Sequence, residues 1–183
     1  MIASSYVAPG ALRDGVPVRI RAIQPEDREA LRWGFTQLST EAIYHRFFQT
    51  KRGLTEEELT YLTELDFKDH VALVVEAEVE GLVHVVGVGR FVRLKAENKA
   101  DRAEVAFTVG DEFQGRGVGT LLLEHLARIA RELGYTAFEA EVLPDNRLML
   151  EVFEHSGLLK RETAQDGVVH VELSLVDGTA GAR

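Results

Sequence analysis

Three glycines, Gly115, Gly117 and Gly119, alternate with Arg116 and Val118 in "QGRGVG", and an apolar helical pattern follows at once. Glycines at the mouth of a helix let backbone N–H groups approach an anion with no Cβ in the way, and the helix dipole adds positive potential there. The stretch is a credible pyrophosphate cradle, and Arg116 is placed to add a charge-assisted contact. A tight strand-to-helix turn without a ligand would use the same glycines. A Walker loop needs lysine and then serine or threonine after its last glycine, whereas Gly119 is followed by Thr120 and Leu121. A dinucleotide fingerprint needs GxGxxG inside a βαβ unit, whereas this run is GxGxG behind antiparallel strands. Eleven residues before Gly115, Glu104 interrupts the apolar strand "AEVAFTV". On residue type alone it is either a proton acceptor beside the phosphate site or a strand glutamate facing solvent or an arginine.

The elements that must position these residues follow from periodicity. Val16, Val18 and Ile20 alternate with Pro17, Arg19 and Arg21 as a half-buried strand. Pro25, Glu26 and Asp27 open a helix that runs to about Leu38 and buries Leu31, Phe35 and Leu38. "STEAIYHRFF" reads as a second helix capped by Ser39 or Thr40, and "LTEEELTYLTEL" as a third opened by a capping box from Thr55 to Glu58. The period then changes: "HVALVVEAEVEGLVHVVGVGRFVRL" predicts two antiparallel strands about a turn at Glu80–Gly81. The strand "RAEVAFTVG" puts Val105, Phe107 and Val109 on one face and Glu104, Ala106 and Thr108 on the other. The helix after the glycine loop stops at Gly134. A strand "TAFEAEVL", a helix "DNRLMLEVFEHSG" and a closing hairpin of "LLKRE" with "VVHVELSLV" complete the chain. The expected organisation is an N-terminal extension over 1–18, a single domain over 19–176 and a frayed tail over 177–183.

Composition narrows the class. The chain has 183 residues, 45% hydrophobic and 28% charged, an ordinary mix for one soluble domain. A net charge of −9 argues against a nucleic-acid partner. No apolar run approaches the roughly 20 residues of a membrane span, and no signal peptide is evident. With no cysteine, disulfides, thiolate zinc sites and a cysteine nucleophile are excluded, which fits a reducing cytoplasm. The histidines show no metal-binding spacing, and no metal is expected.

The combination resembles the GNAT superfamily of acyl-CoA-dependent N-acyltransferases. Gln114 through Gly119 match its Q/R-x-x-G-x-G/A signature, and Asn146 opens a helix that closes eleven residues later at Gly157-Leu158, like the family's Asn…Gly-Phe block. The order of elements agrees from about Arg19 to Leu175. The resemblance implies an α/β fold with a mixed, mostly antiparallel sheet and flanking helices. It also implies that the strand holding Glu104 splays from "TAFEAEVL" to admit acetyl-CoA. Phe107, Thr108 and Val109 would then meet the pantetheine, and Gln114, Gly115, Arg116, Gly117, Val118, Gly119 and Thr120 the pyrophosphate. Asn146 and Phe153 would complete the cofactor-binding set.

"VRIRAIQPEDREALRWGFTQLSTEAIYHRFF" and "LTEEELTYLTELDFKDHVALVV" are similar to the bacterial Pat-type protein lysine acetyltransferases. These acetylate a lysine on acyl-CoA synthetases, which implies a cytoplasmic enzyme with a protein substrate. Some carry a cyclic-nucleotide or synthetase-like domain; with about 18 residues before the first expected strand, none is expected here. A small-amine acetyltransferase and a catalytically silent acyl-CoA-binding module share the same fold.

Acetyl transfer needs a neutral amine, and deprotonating lysine at pH 7 costs about 4.6 kcal/mol. In Pat-like enzymes the glutamate at the position of Glu104 is the general base, a role that partial burial would assist. Glu139 and Glu141 on the next strand are fallback bases, more often a solvated face. Many relatives place a tyrosine seven residues after the Asn146 position to protonate the thiolate, and here Phe153 stands there, so no acid is assigned. His155 reads as a surface residue. Tyr44, His45 and Arg46 fall in the segment resembling the acceptor wall, although packing or solvent contact is their ordinary use. Trp33, Phe47 and Phe48 read as core or cleft lining.

Overall fold

The computed structural model describes residues 2–176. Its strands are β1 (Val7–Ala11), β2 (Pro17–Ala22), β3 (His70–Val79), β4 (Leu82–Arg93), β5 (Arg102–Val109), β6 (Ala137–Val142), β7 (Lys160–Gln165) and β8 (Val168–Ser174). They form one sheet in the order β1-β2-β3-β4-β5-β6-β8-β7, antiparallel throughout except for the parallel pair β5–β6. The helices are α1 (Arg28–Thr36), α2 (Thr40–Phe47), α3 (Glu56–Thr63), α4 (Val118–Glu132) and α5 (Arg147–Glu154). No helix among the described residues is long and apolar enough to cross a membrane.

Strand alternation divides the core into two layers. Ile20, Leu73, Phe91, Val105 and Phe107 point to the face covered by α4, whose Leu122, Leu126 and Ile129 are buried against them. Ala72 and Val74 point to the opposite face, beneath α1 to α3, with Leu31, Val85 and Val88. Glu104, Ala106 and Thr108 share this second face. Local chemistry sets the helix starts: the Ser39 hydroxyl accepts from Ala42 N, and Thr55 and Glu58 form the expected capping box. The β3–β4 turn falls on Glu80 and Gly81, both with positive φ.

Two expectations change. Residues 7–11, assigned to an extension, are the edge strand β1, paired from Val7↔Arg21 to Ala11↔Pro17. Pro9 and Gly10 hide this strand from a propensity reading, but an edge strand tolerates a missing N–H, and Gly10 lies where a Cβ would strike Ile20 at 2.7 Å. The expected helix from Pro25 begins instead as a 3-10 turn over Pro25–Asp27, and α1 ends at Thr36. Asp27 pins that turn by accepting from Gln24 N at 2.7 Å and from Arg21 through both oxygens at 2.8 Å. Of the three apolar residues expected to be buried, Phe35 is, while Leu31 and Leu38 are half-buried. The tail expected over 177–183 lies outside the described residues.

Candidate active site

β5 and β6 pair only at Arg102↔Ala137, Ala103↔Phe138 and Glu104↔Glu139. Beyond Glu104 the strands part, while β5 stays paired with β4 as far as Gly87↔Val109. From Val105 onward, alternate backbone groups of β5 therefore face a gap rather than a neighbouring strand. A cleft opens there, lined by Phe107, Thr108, Val109, Gln114, Gly115, Gly117, Gly119, Thr120 and Asn146. These nine lie in the set expected to meet a cofactor, and the same walls also carry Ser39, Glu41, Ala42, Asp145, Glu151 and Val152, which do not.

The glycine loop forms the cleft's floor. Gly115 and Gly117 have φ of +71° and +97°, a region L side chains rarely adopt. Gly117 is the residue before α4, and the helix presses its first turn onto β4, where a Cβ on Gly87 would meet Val118 at 2.4 Å. Among the described residues, no hydrogen bond occupies the N–H groups of Gly115 through Thr120. The buried Thr120 hydroxyl also lacks a partner. Unpaired donors around a helix N-terminus make an anion nest. Arg13, from the β1–β2 turn, lines the cleft with its guanidinium 3.5 Å from Gly115 O, and Arg147 lines it from α5.

Four side chains of that set are engaged elsewhere. Arg116 is tied to Asp14 at 2.8 Å and stacked on Phe113, 4.5 Å from the ring centroid. Val118 and Phe153 are each 1% exposed, Phe153 with its ring edge-on to Phe107. Asn146 caps α5 by accepting from Met149 N at 3.2 Å.

Comparison with known proteins agrees with this architecture. The acetyltransferase (GNAT) family model matches residues 38–158. The chain belongs to the GNAT acetyltransferase family. It is 38% identical to acetyltransferase Pat of Mycolicibacterium smegmatis over 149 residues, covering 81% of this chain and 43% of that protein. The chain thus spans less than half the length of that relative. The GNAT domain of S. lividans PAT superposes with a TM-score of 0.83 at 38% identity, covering 92% of this chain and 96% of that one. The cAMP-binding acyltransferase from Mycobacterium smegmatis superposes with a TM-score of 0.63 at 33% identity, covering 94% and 48%.

The family is one of acetyltransferases, and acetyl-CoA is the donor expected from the sequence. The residues present fit that donor. The nest of free N–H groups, the unpartnered Thr120 hydroxyl and Arg13 suit a pyrophosphate, and the gap beside Val105–Val109 suits an extended amide-bearing arm.

The candidate bases of this GNAT chain are sharply distinguished. Glu104 is exposed, on the α1–α3 face, at the last register pair before the strands part. The partial burial that would favour a base is not present. Its neighbour Glu139 is 6% exposed and bound by Lys99 at 2.8 Å and Arg102 at 3.0 Å. Burial alone would raise the Glu139 carboxyl, but these cations hold it below its ordinary value. Glu141 is exposed, and His155 is exposed with Nδ1 on Glu151 O.

A second cavity of about 260 Å³ adjoins the cleft on the α1–α3 face, and the two share Arg46, Thr108 and Phe113 in their walls. Leu31, Phe35, Phe47, Val88 and Ala106 make it largely apolar. Trp33 is 53% exposed and stacks on His84 at its edge. Of the acceptor-wall candidates, Tyr44 is exposed, whereas Arg46 lines both cavities. His45 Nε2 approaches Asp145 at 3.1 Å and Glu41 at 4.0 Å without the alignment of a hydrogen bond. Arg13 carries no local signal, because the turn that aims it at the cleft is set by non-local pairing.

Proposed function

We propose that the chain acetylates the Nε of a lysine on a protein, an acyl-CoA synthetase being the expected class, with Glu104 as general base in the cytoplasm. The observation that carries this reading is the position of Glu104 at the point where β5 and β6 separate. A thioester laid along the free edge of β5 would end beside it. Its likeness to proteins named Pat supports a lysine acceptor.

Acetyl-CoA supplies an activated thioester. The glycine-loop N–H groups and Arg13 anchor its phosphates, and the open β5 backbone between Val105 and Val109 orients and polarises the carbonyl. Glu104 takes a proton from the acceptor ammonium, directly or through water, which suits its exposed position. The freed nitrogen forms the N–C bond as the C–S bond breaks, the electron pair leaves on sulfur, and the second proton of the attacking nitrogen passes to the departing thiolate or to water. A thiol of pKa about 8.5 leaves readily as thiolate, so the buried, hydroxyl-free Phe153 does not block the reaction.

The cavity beside Arg46 favours a second acceptor class, a small amine with an apolar body. A CoA-release assay on purified acyl-CoA synthetases and on a panel of small amines, with mass spectrometry of modified lysines, separates the readings. Site-specific lysine acetylation supports the first. Turnover on free amines alone overturns it in favour of the second. Acetyl-CoA binding with no turnover on any acceptor leaves only a silent binding module.

A further inference from the structure

The cavity on the α1–α3 face contains two guanidinium groups that no carboxylate pairs with among the described residues. Arg90 rises from β4 opposite Ala106, its register partner on β5, and is 6% exposed. Its Nη1 donates to Leu62 O at 3.3 Å and to His70 Nε2 at 2.9 Å. Because arginine only donates, His70 accepts through Nε2 and carries its proton on Nδ1. Among the described residues, Nε and Nη2 of Arg90 have no hydrogen bond, and no carboxylate pairs with the group. Arg46 reaches the same cavity from α2, with its guanidinium 4.9 Å from the Phe47 ring centroid and no hydrogen bond or ion pair among the described residues.

Each of these charges acts unfavourably on the other. Burial pushes Arg90 down to about 9, with repulsion from Arg46 adding to the effect, yet it stays protonated at neutral pH. Burial lowers Arg46 as well, and Glu104 offsets this only through its field. A buried cation without a counter-charge costs stability, and a second beside it costs more. The cavity's own acids, Asp111 and Glu112, are exposed at its Gly110–Phe113 end, and Asp111 is already held by Ser39 N at 3.1 Å. A planar fork with free donors in an apolar cavity matches a carboxylate on an apolar chain.

We propose that Arg46 and Arg90 form a carboxylate-binding subsite for the acceptor, which is an amine carrying a carboxylate on an apolar arm. This rests on acetyl transfer at Glu104 and adds the acceptor's anchor. Free ω-amino acids and a lysine with an acidic neighbour present the same chemistry.

The test has a binding arm and a turnover arm, both on the whole chain. In the first, hexanoate and hexanamide are compared by thermal shift. Hexanoate should raise the Tm of the wild type, hexanamide should not, and Arg90→Met should abolish the shift. In the second, straight-chain ω-amino acids of graded length are compared with the matching amides, and lysine peptides followed by glutamate with those followed by glutamine. At the best length the acid should have a KM roughly 10- to 100-fold below its amide, as expected for a charge-assisted bond. Arg90→Met and Arg46→Gln should bring that ratio towards one. Arg90→Lys, which keeps the charge and loses the fork, stands in should Arg90→Met fail to fold, and should lose most of the preference.

Preference for free acids alone identifies a small acceptor, and preference only in the peptides identifies a protein segment. Equal KM values for acid and amide, with normal turnover, overturn the subsite and leave acetyl transfer intact. A carboxylate-dependent Tm shift with no turnover on any amine preserves the subsite and overturns acetyl transfer to amines. If Arg90→Met changes the KM of succinyl-CoA but not the acid-to-amide ratio, the carboxylate belongs to the acyl donor and the acceptor assignment is wrong.

Discussion

Arg21 on β2 and Arg90 on β4 both rise from the sheet face covered by α1 to α3, and the fold treats them in opposite ways. Arg21 is gripped by both oxygens of Asp27 and by Glu76 at 2.7 Å, and Arg19 neutralises the remaining oxygen of Glu76 at 2.7 Å. These bonds raise Arg21 above its ordinary value, led by Asp27. Burial would raise Asp27 and Glu76, but their arginine partners hold both below it. Arg90 is more deeply buried and faces Arg46 instead of an acid. The first is a closed network that ties β2, β3 and the start of α1 together. The second is open: among the described residues no carboxylate pairs with Arg90. Charge pairing, more than depth, is what distinguishes the two arginines.

Breaking the closed side should have the largest effect. Asp27→Ala removes two charged bonds and the cap on Gln24 N, and should lose about 3–5 kcal/mol in urea unfolding. A loss below about 1 kcal/mol would mean that Glu76 alone satisfies Arg21.

Acidification probes the open side. Burial, aided by Arg90, holds folded His70 at about 4 against an ordinary value of 6.5. Between those values the unfolded chain binds a proton that the folded chain refuses. Stability therefore rises with pH across the window and is lost as pH falls from about 6.5 towards 4, by an amount on the order of 3 kcal/mol. His125, also lowered by burial, acts in the same direction. His70→Gln keeps an acceptor for Arg90 and should remove most of that slope. The loss at lower pH, where Asp27 and Glu76 protonate, should remain. An unchanged slope in this variant would show that His70 does not carry the window.

Arg90→Met sharpens the contrast in sign. Removing an unpaired buried charge for an apolar side chain of similar reach should stabilise the protein by about 1–2 kcal/mol in thermal unfolding. A lower Tm would place Arg90 with Arg21 as a structural group.

The smallest effect carries the same logic to the glycine loop. Arg116 is paired with Asp14, whereas the Arg13 guanidinium reaches Gly115 O and has no carboxylate partner among the described residues. By calorimetry, Arg13→Ala should weaken acetyl-CoA roughly fivefold, about 1 kcal/mol, and Arg116→Ala should change it by less than about twofold. The reverse order would return the phosphate contact to Arg116.

What was legible in the sequence was what is local. The Thr55–Glu58 box, the Glu80–Gly81 turn and the Gly134 stop each depend on neighbours within a few residues and stand where expected, and the α2 cap falls on Ser39, one of the two residues expected for it. β1 was missed because Pro9 and Gly10 mask a strand that exists only through pairing with β2. Arg116 looked like a ligand contact because its competitor, Asp14, arrives from 102 residues away. Arg90 was invisible as a site residue because β4 offers it, but α2 and α3 complete the cavity around it. Glu104 could be placed on its face from strand alternation. Its position at the parting of β5 and β6 required the register.

The central claim is that chemistry occurs at Glu104, and Glu104→Gln tests it with little change in shape. Turnover and acetyl-CoA affinity should be measured on the same preparation, with whichever acceptor the wild type uses. A base role predicts a fall in kcat of roughly 100-fold or more, with the acetyl-CoA Kd within about twofold of the wild type. Near-normal turnover in the variant would contradict the account and move the proton acceptor elsewhere.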